Sequence, residues 1–331
     1  MKKFLNKPGS FLDESLDGFA AAHADIVCLG EERKYVRRRT LKPGKVALVS
    51  GGGSGHEPLH AGFVGEGMLD AACPGQIFTS PTPDQIIAAA QAVDQGAGAL
   101  FIVKNYEGDV MNFEMAAEMA ELKTASLVTD DDVAVETSTY STGRRGVAGT
   151  LVVEKVVGAA AERGAGLAEL QALGAEVNRN TRSMGVALTS CTTPAAGKPN
   201  FVLGEDEMEM GVGIHGEPGR RRVKLASADE IAKEMTGAIV RDLEGLPGGA
   251  ASGDVLLLLN GLGATPAIEL YLMYGAARRW LEKAGLRIVR SLVGNFVTSL
   301  DMAGCSVTVA MLNREMADLW DHPVRTAALR W

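Results

Sequence analysis

No apolar run in the 331 residues is long enough to span a membrane. The start, Met1-Lys2-Lys3-Phe4-Leu5-Asn6-Lys7-Pro8, is basic but lacks the apolar core of a signal peptide. Cysteine is scarce. Cys28, Cys73, Cys191 and Cys305 show neither metal-ligand spacing nor a disulfide framework, so isolated buried thiols in a reducing cytoplasm are expected. Positive charge is also short: the net charge of -8 argues against nucleic acid or a membrane surface as partner. Nucleotide signatures are missing. No Gly-Lys-Ser/Thr closes the glycine run at Gly51–Gly55, as a phosphate loop requires. A Gly-x-Gly-x-x-Gly reading from Gly51 ends on His56, and one from Gly53 ends on Pro58.

Glycine is plentiful, and the chain is organised around one stretch of it, Val46–Pro58, VALVSGGGSGHEP. Val46–Val49 reads as a short buried strand. Gly51, Gly52, Gly53 and Gly55 then let the backbone approach a ligand closely, and Pro58 suits the first turn of a helix beginning near Glu57. A strand, a glycine loop and a helix start would together offer N–H donors to a polar or anionic guest.

Hydrophobic periodicity places helices over Leu12–Ala24, Gln85–Val93, Val110–Leu122 and Leu167–Asn178, with another through Val147–Val156. Strands are expected at Gly98–Val103 and Ala125–Thr129, while Cys73–Pro83 reads as a turn-rich connection. Alternating strands and helices predict an open, mainly parallel α/β sheet, whose ligands gather at the carboxyl ends of strands. Beyond this the pattern changes. Gly185–Ser190, Phe201–Leu203, Met208–Ile214, Asp254–Leu259, Arg287–Val293 and Ser306–Met311 look like strands, with helices at Asp229–Leu243 and Pro266–Ala284. The fold class is therefore α/β: an N-terminal α/β domain over 1–182 and a C-terminal α+β domain over 183–331, with the boundary near Thr181–Met184. Gly245–Gly253 reads as a flexible surface loop.

Several side chains could carry chemistry. His215, among glycines at the end of a strand, is either a turn histidine or an imidazole presented to a ligand as base or nucleophile. Asp109 follows Gly108 at a helix start and either caps it or aims a carboxylate into the crevice as a general base. Lys104 offers its ammonium or only its backbone. Asp130–Asp132 could bind magnesium, but reads better as a solvated turn, since successive carboxylates do not face one way. His23 and His322 read as structural or solvated. His56 and His60 are spaced i, i+4, but His60 comes one residue too early for a zincin helix, and no metal site is expected.

These segments resemble a known family. Ser50–Pro58, Cys73-Pro74-Gly75, Phe78–Pro83, Lys104-Asn105-Tyr106, Gly108-Asp109, Asp130–Val135, Gly143–Gly146, Gly211–Gly219, Gly263–Pro266 and Thr298–Met302 are similar, in order, to the K subunits of dihydroxyacetone kinases. The resemblance covers essentially the whole chain. It implies a cytoplasmic homodimer that holds dihydroxyacetone as a hemiaminal on His215, with His56 and Asp109 as the other catalytic residues. Gly53, Ser54, Gly55 and Lys104 would contact the substrate. It also implies that this chain binds no cofactor: nucleotide and magnesium would sit on a separate L subunit, served in turn by ATP or by an M-type phosphotransferase-system protein. A kinase for a four-carbon ketose such as erythrulose, or a ketose-sensing co-activator, are the alternatives it leaves.

Overall fold

The structure is a computed structural model and describes residues 2–135, 141, 143–217, 219–246 and 252–331. The expected loop at Gly245–Gly253 lies outside the described residues over 247–251. The chain forms two compact units, one of Met1–Thr129, Val153–Glu176 and Asp318–Trp331, the other of Asp130–Val152 and Val177–Ala317. Sequence patterning had suggested one boundary near Thr181–Met184. Instead the chain passes between units after Thr129, Val152, Glu176 and Ala317. Local periodicity cannot show such returns, because it carries no record of which unit a helix or tail packs into.

The first unit contains α1 (Phe11–Ala22), β1 (Val27–Leu29), β2 (Val36–Arg38), β3 (Ala47–Ser54), β4 (Gly65–Glu66) and β5 (Ala71–Ile77). Next come α2 (Pro83–Val93), β6 (Ala99–Lys104), α3 (Glu107–Met119) and β7 (Thr124–Thr129). Most of α4 (Gly149–Glu162) and α5 (Leu167–Arg179) also belongs to it. Its sheet has the order β1-β2-β5-β3-β6-β7. β3 pairs in parallel with β5 and β6, and β6 with β7, whereas β1 and β2 add an antiparallel edge. The expected mainly parallel sheet is therefore present.

Two readings change at its centre. β3 does not stop at Val49 but runs through the glycines to Ser54, and Cys73–Ile77 is not a bare connection but most of its partner strand. Glycine permits this pairing. A Cβ on Gly51 would lie 2.7 Å from the Cys73 carbonyl oxygen, and one on Gly53 would lie 2.5 Å from the Thr79 nitrogen. No helix starts at Glu57; a short 3-10 turn at Ala61–Phe63 follows instead.

Strand alternation sorts the side chains by face. Ala47, Val49, Ala71, Cys73, Ala99, Phe101 and Val103 point towards Ile86, Ala89, Ala90 and Val93 of α2 and Phe113 and Ala116 of α3. Phe101 and Phe113 meet edge to face at 5.6 Å. Ser50, Gly52 and Lys104 fall in the other register and share the opposite face. α2 starts with a capping box between Thr82 and Gln85, which satisfies backbone donors at its first turn.

The second unit holds β8 (Thr181–Ala187), β9 (Glu207–Met210), β10 (Arg221–Lys224), α6 (Ala228–Glu244), β11 (Gly253–Gly261), α7 (Ala267–Lys283), β12 (Leu286–Gly294) and β13 (Gly304–Met311). The remaining elements, α8 (Arg314–Trp320) and β14 (Arg325–Thr326), follow, and β14 pairs with β4. The second sheet has the order β10-β9-β8-β13-β11-β12, antiparallel except where β11 meets β12. Val255, Leu257, Leu259, Val307, Val309, Met184 and Met210 pack with Ile231, Met235 and Ile239 of α6 and Leu270, Met273 and Leu281 of α7. Phe201–Leu203 carries no strand, and the expected Met208–Ile214 strand ends at Met210. Gly211, with φ near 80°, turns the chain there.

Gly158 of α4 tests how tightly the first unit is packed. A Cβ there would lie 2.5 Å from both the Gly67 carbonyl oxygen and the Met68 Cα. Gly158→Ala gains about 1 kcal/mol of helix propensity but meets backbone that cannot turn aside, an overpacking cost of about 1–3 kcal/mol. A lowered urea midpoint is expected. Gly18→Ala in α1 meets nothing within 4 Å and should raise the midpoint.

Candidate active site

Four polar side chains meet at the carboxyl ends of β3 and β6. Lys104 ends β6 and is wholly buried. Its Nζ lies 3.3 Å from the Gly51 carbonyl oxygen, 3.0 Å from His60 Nε2 and 3.5 Å from Asp109 Oδ2. Gly52 makes room, since a Cβ there would sit 2.2 Å from that nitrogen. His60 Nδ1 in turn lies 2.6 Å from Glu154 Oε1 and 3.1 Å from Ser50 Oγ, which donates to the Ile102 carbonyl at 2.6 Å. Burial, the Lys104 cation and His56 hold the His60 imidazole well below its ordinary range. Burial pushes the Glu154 carboxyl up to about 8, although Lys104 opposes the shift.

Asp109 lies in the first turn of α3 and is 3% exposed. It does not cap the helix: Tyr106 holds the N-cap position. Its Oδ2 faces Lys104, and its buried Oδ1 has no hydrogen-bond partner among the described residues. His56 is buried and stacks on Phe78, ring centroids 4.9 Å apart and planes 19° apart. Asn112 of α3 donates to the Pro81 carbonyl at 2.8 Å and holds the segment after Phe78 in place.

The other expected contact residues divide. Gly53 closes against Phe78 and Thr79. The Ser54 hydroxyl is committed to the Gly75 carbonyl at 2.7 Å, and the Gly55 N–H donates to Glu57 at 3.0 Å. A cavity of about 410 Å³ lies beside Gly53 and His60 and is closed by Leu12, Leu16 and Phe19 of α1. Neither Lys104 nor Asp109 lines it, so the polar cluster, not the cavity, is the candidate site.

His215 belongs to the second unit. It follows the turn at Gly211, and its carbonyl accepts from Asn200 Nδ2 at 3.1 Å. Glu217 Oε2 accepts the His215 backbone N–H at 2.8 Å, and Oε1 faces His215 Nδ1 at 3.7 Å. A Cβ on Gly213 would lie 2.0 Å from Glu217 Oε1, so only glycine leaves room for this carboxylate. Behind it the fully buried Arg145 lies 3.7 Å from Glu217, 2.6 Å from Asp132 and 2.7 Å from the Gly211 carbonyl oxygen it donates to. Burial would raise the Glu217 carboxyl, but His215 and Arg145 outweigh it and bring it down to about 2.

The aspartate triplet is not a solvated turn. Asp131 and Asp132 are buried; Asp131 accepts from the N–H groups of Val147 and Gly149, and Asp132 from Ala134 N–H and Arg145. Burial raises Asp132 to about 6 despite Arg145. Three charges in sequence looked exposed because Arg145, the partner of Asp132, and the N–H groups that Asp131 accepts from lie thirteen or more residues along the chain. The sequence reading does not single out the side chains of Glu154 and Arg145, which lie buried against His60 and Glu217. The available signal was Glu154-Lys155 inside the apolar run Leu151–Val157. Among the described residues no group of three His, Cys, Asp or Glu could hold a metal, and no helix is long and apolar enough to cross a membrane. Cys73, Cys191 and Cys305 are buried free thiols, whereas Cys28 is half-buried.

The Dak1 domain matches residues 17–328. The chain belongs to the Dak1 family. The Dak1 chain is 50% identical to the dihydroxyacetone-binding subunit DhaK of PTS-dependent dihydroxyacetone kinase 1 from Listeria innocua, over 99% of this chain and 100% of the relative. The corresponding subunit of the PEP-dependent dihydroxyacetone kinase from Escherichia coli is 48% identical over 100% of this chain and 99% of its own. Among solved structures, the dihydroxyacetone kinase operon co-activator Dha-DhaQ superposes on the Dak1 chain with a TM-score of 0.89 at 35% identity, covering 95% of this chain and 97% of its own.

The two perturbed glutamates give opposite pH signatures. Glu217, lowered from 4.5 to about 2, adds stability that is fully present above pH 4.5 and is lost as pH falls towards 2, on the order of 3 kcal/mol. Glu154, raised from 4.5 to about 8, stays protonated while the unfolded chain ionises, and so subtracts stability as pH rises from 4.5 towards 8. Urea midpoints should show the deficit of Glu217→Gln largest above about pH 5 and shrinking below it. Glu154→Gln should gain on the parent protein as pH rises over the same range.

Proposed function

We propose that this chain is the dihydroxyacetone-binding subunit of a cytoplasmic dihydroxyacetone kinase and works as a homodimer with a separate L subunit. The observation that carries the reading is Asp109: one buried oxygen meets Lys104 and the other has no hydrogen-bond partner among the described residues. A buried acceptor without a donor costs about 1–3 kcal/mol, and a substrate hydroxyl would relieve that cost. The identity of 48–50% to dihydroxyacetone-binding subunits over whole chains supports dihydroxyacetone as the bearer of that hydroxyl.

His215 captures the ketone. Its ring nitrogen adds to C2 of dihydroxyacetone: an N–C bond forms, the carbonyl π bond breaks, the oxygen takes up a proton and the ring gives one up, leaving a neutral hemiaminal. Glu217, held ionised beside Nδ1, favours the tautomer that carries its proton there and leaves Nε2 as the nucleophile. Covalent addition selects a ketone over glycerol, a distinction that so small a polyol cannot supply through apolar contact. Asp109 takes the terminal hydroxyl proton as that oxygen attacks phosphorus, and His56 hydrogen-bonds the substrate and assists proton movement. Gly53 and Lys104 border the ketose. The L subunit supplies nucleotide and magnesium, replenished by ATP or by an M-type phosphotransferase-system protein.

A ketose-sensing co-activator is the reading from another class, favoured by the superposition on Dha-DhaQ. Sensing needs the adduct but no base, and the higher identity to kinase subunits supports catalysis. Native mass spectrometry with dihydroxyacetone should show an adduct of the full ketose mass that disappears in His215→Ala; no adduct in either protein overturns the covalent step. Erythrulose in the same experiment compares the four-carbon ketose. With an L subunit and its phosphoryl donor, Asp109→Asn should keep the adduct and lose at least a hundredfold in kcat, roughly the contribution of general base catalysis. Retained turnover would sink the base assignment.

A further inference from the structure

We propose that Glu154 and His60 are positioning residues, which fix the Lys104 ammonium so that one oxygen of Asp109 is occupied and the other is left for the substrate hydroxyl. The inference rests on the reading of Asp109 as proton acceptor. It follows from donor and acceptor logic. An ammonium has only N–H donors, so each of its neighbours must accept. The Gly51 carbonyl at 3.3 Å and Asp109 Oδ2 at 3.5 Å do so by their nature. His60 Nε2 at 3.0 Å can accept only if it carries no proton. The ring proton must then sit on Nδ1, where Glu154 Oε1 accepts it at 2.6 Å, the carboxyl proton of Glu154 lying on its other oxygen. Ser50 does not compete as a donor, because its hydroxyl proton goes to the Ile102 carbonyl at 2.6 Å.

The distances show the consequence. Lys104 lies closer to His60 than to Asp109, although Asp109 is the charged partner. His60 thus holds the ammonium back from a closed ion pair that would engage both carboxylate oxygens. Without an acceptor at Glu154 the imidazole could carry its proton on Nε2 instead, turning a donor towards Lys104 and driving the ammonium onto Asp109. Glu154 and Lys104 are wholly buried, and Asp109 and His60 nearly so.

The protein has five histidines, so their ring nitrogens can be resolved by long-range ¹H–¹⁵N correlation on the unmodified, ¹⁵N-histidine-labelled chain. His60 is expected as the Nδ1–H tautomer; an Nε2–H tautomer overturns the proposal without any mutation. In kinetics with an L subunit and its donor, Glu154→Leu should lower kcat about ten- to a hundredfold while the ketose adduct on His215 is unchanged by mass. Glu154→Gln, which keeps an acceptor oxygen at that place, should recover most of the loss. An unchanged kcat in Glu154→Leu refutes positioning. Asp109→Asn measured alongside separates the two readings: if it retains turnover, the base reading fails, whereas its loss beside an active Glu154→Leu removes only the positioning role.

Discussion

A lysine ammonium without solvent is the constraint on which the first unit's site depends. Removing such a charge from water costs several kcal/mol unless acceptors surround it, and Lys104 is wholly buried. Its acceptors come from three places in the sequence: Gly51 in β3, His60 beyond the glycine turn and Asp109 at the head of α3. Each then acquires a fixed position. Gly52 must lack a Cβ because the ammonium occupies that space, and Glu154 must face His60 because the imidazole's other nitrogen needs a partner. The glycine run is therefore less a flexible phosphate loop than a strand thinned to admit a lysine on one side and the Phe78–Thr79 segment on the other.

The second unit uses the same device with a different cation. Arg145, also wholly buried, lies between Asp132 and Glu217 and closes the turn at Gly211 through its carbonyl. A guanidinium suits this place because its fixed fork serves several acceptors at once, whereas the compact ammonium of Lys104 needs its acceptors brought to it. In both units a buried cation lies against a buried carboxylate, Lys104 against Asp109 and Arg145 against Glu217. Breaking such an arrangement costs more than the pair contributes, since it leaves a charge alone in the interior. The orphaned oxygen of Asp109 departs from the rule that buried polar atoms are paired, and a departure of that kind is more often found at a working site than in a structural core.

Legibility in the sequence followed the range of the interaction. The strand at Ala99–Lys104 and the helices Pro83–Val93, Ala228–Glu244 and Ala267–Lys283 were read within a few residues, because their periodicity is a property of neighbours. Ala71–Ile77 was not read as a strand. Its Cys73-Pro74-Gly75 core has the composition of a turn, and only pairing with the glycines of β3 makes it extended. Asp131 and Asp132 looked solvated for a similar reason: their charge is local, but the N–H groups of Val147 and Gly149 and the guanidinium of Arg145 that neutralise it are not.

By itself the sequence determined the α/β class, the membership that its ordered motifs imply, and the identities of His56, Asp109 and His215 as candidates. These are matters of residue type and spacing along the chain. Tertiary structure alone decided that Asp109 is not a helix cap, that the Lys104 ammonium lies near His60 and Asp109, and that Glu154 stands behind His60. It also decided that the chain crosses repeatedly between units. The reason is physical: a side chain's protonation, partner and burial are set by groups distant in sequence, which only folding brings within hydrogen-bond range.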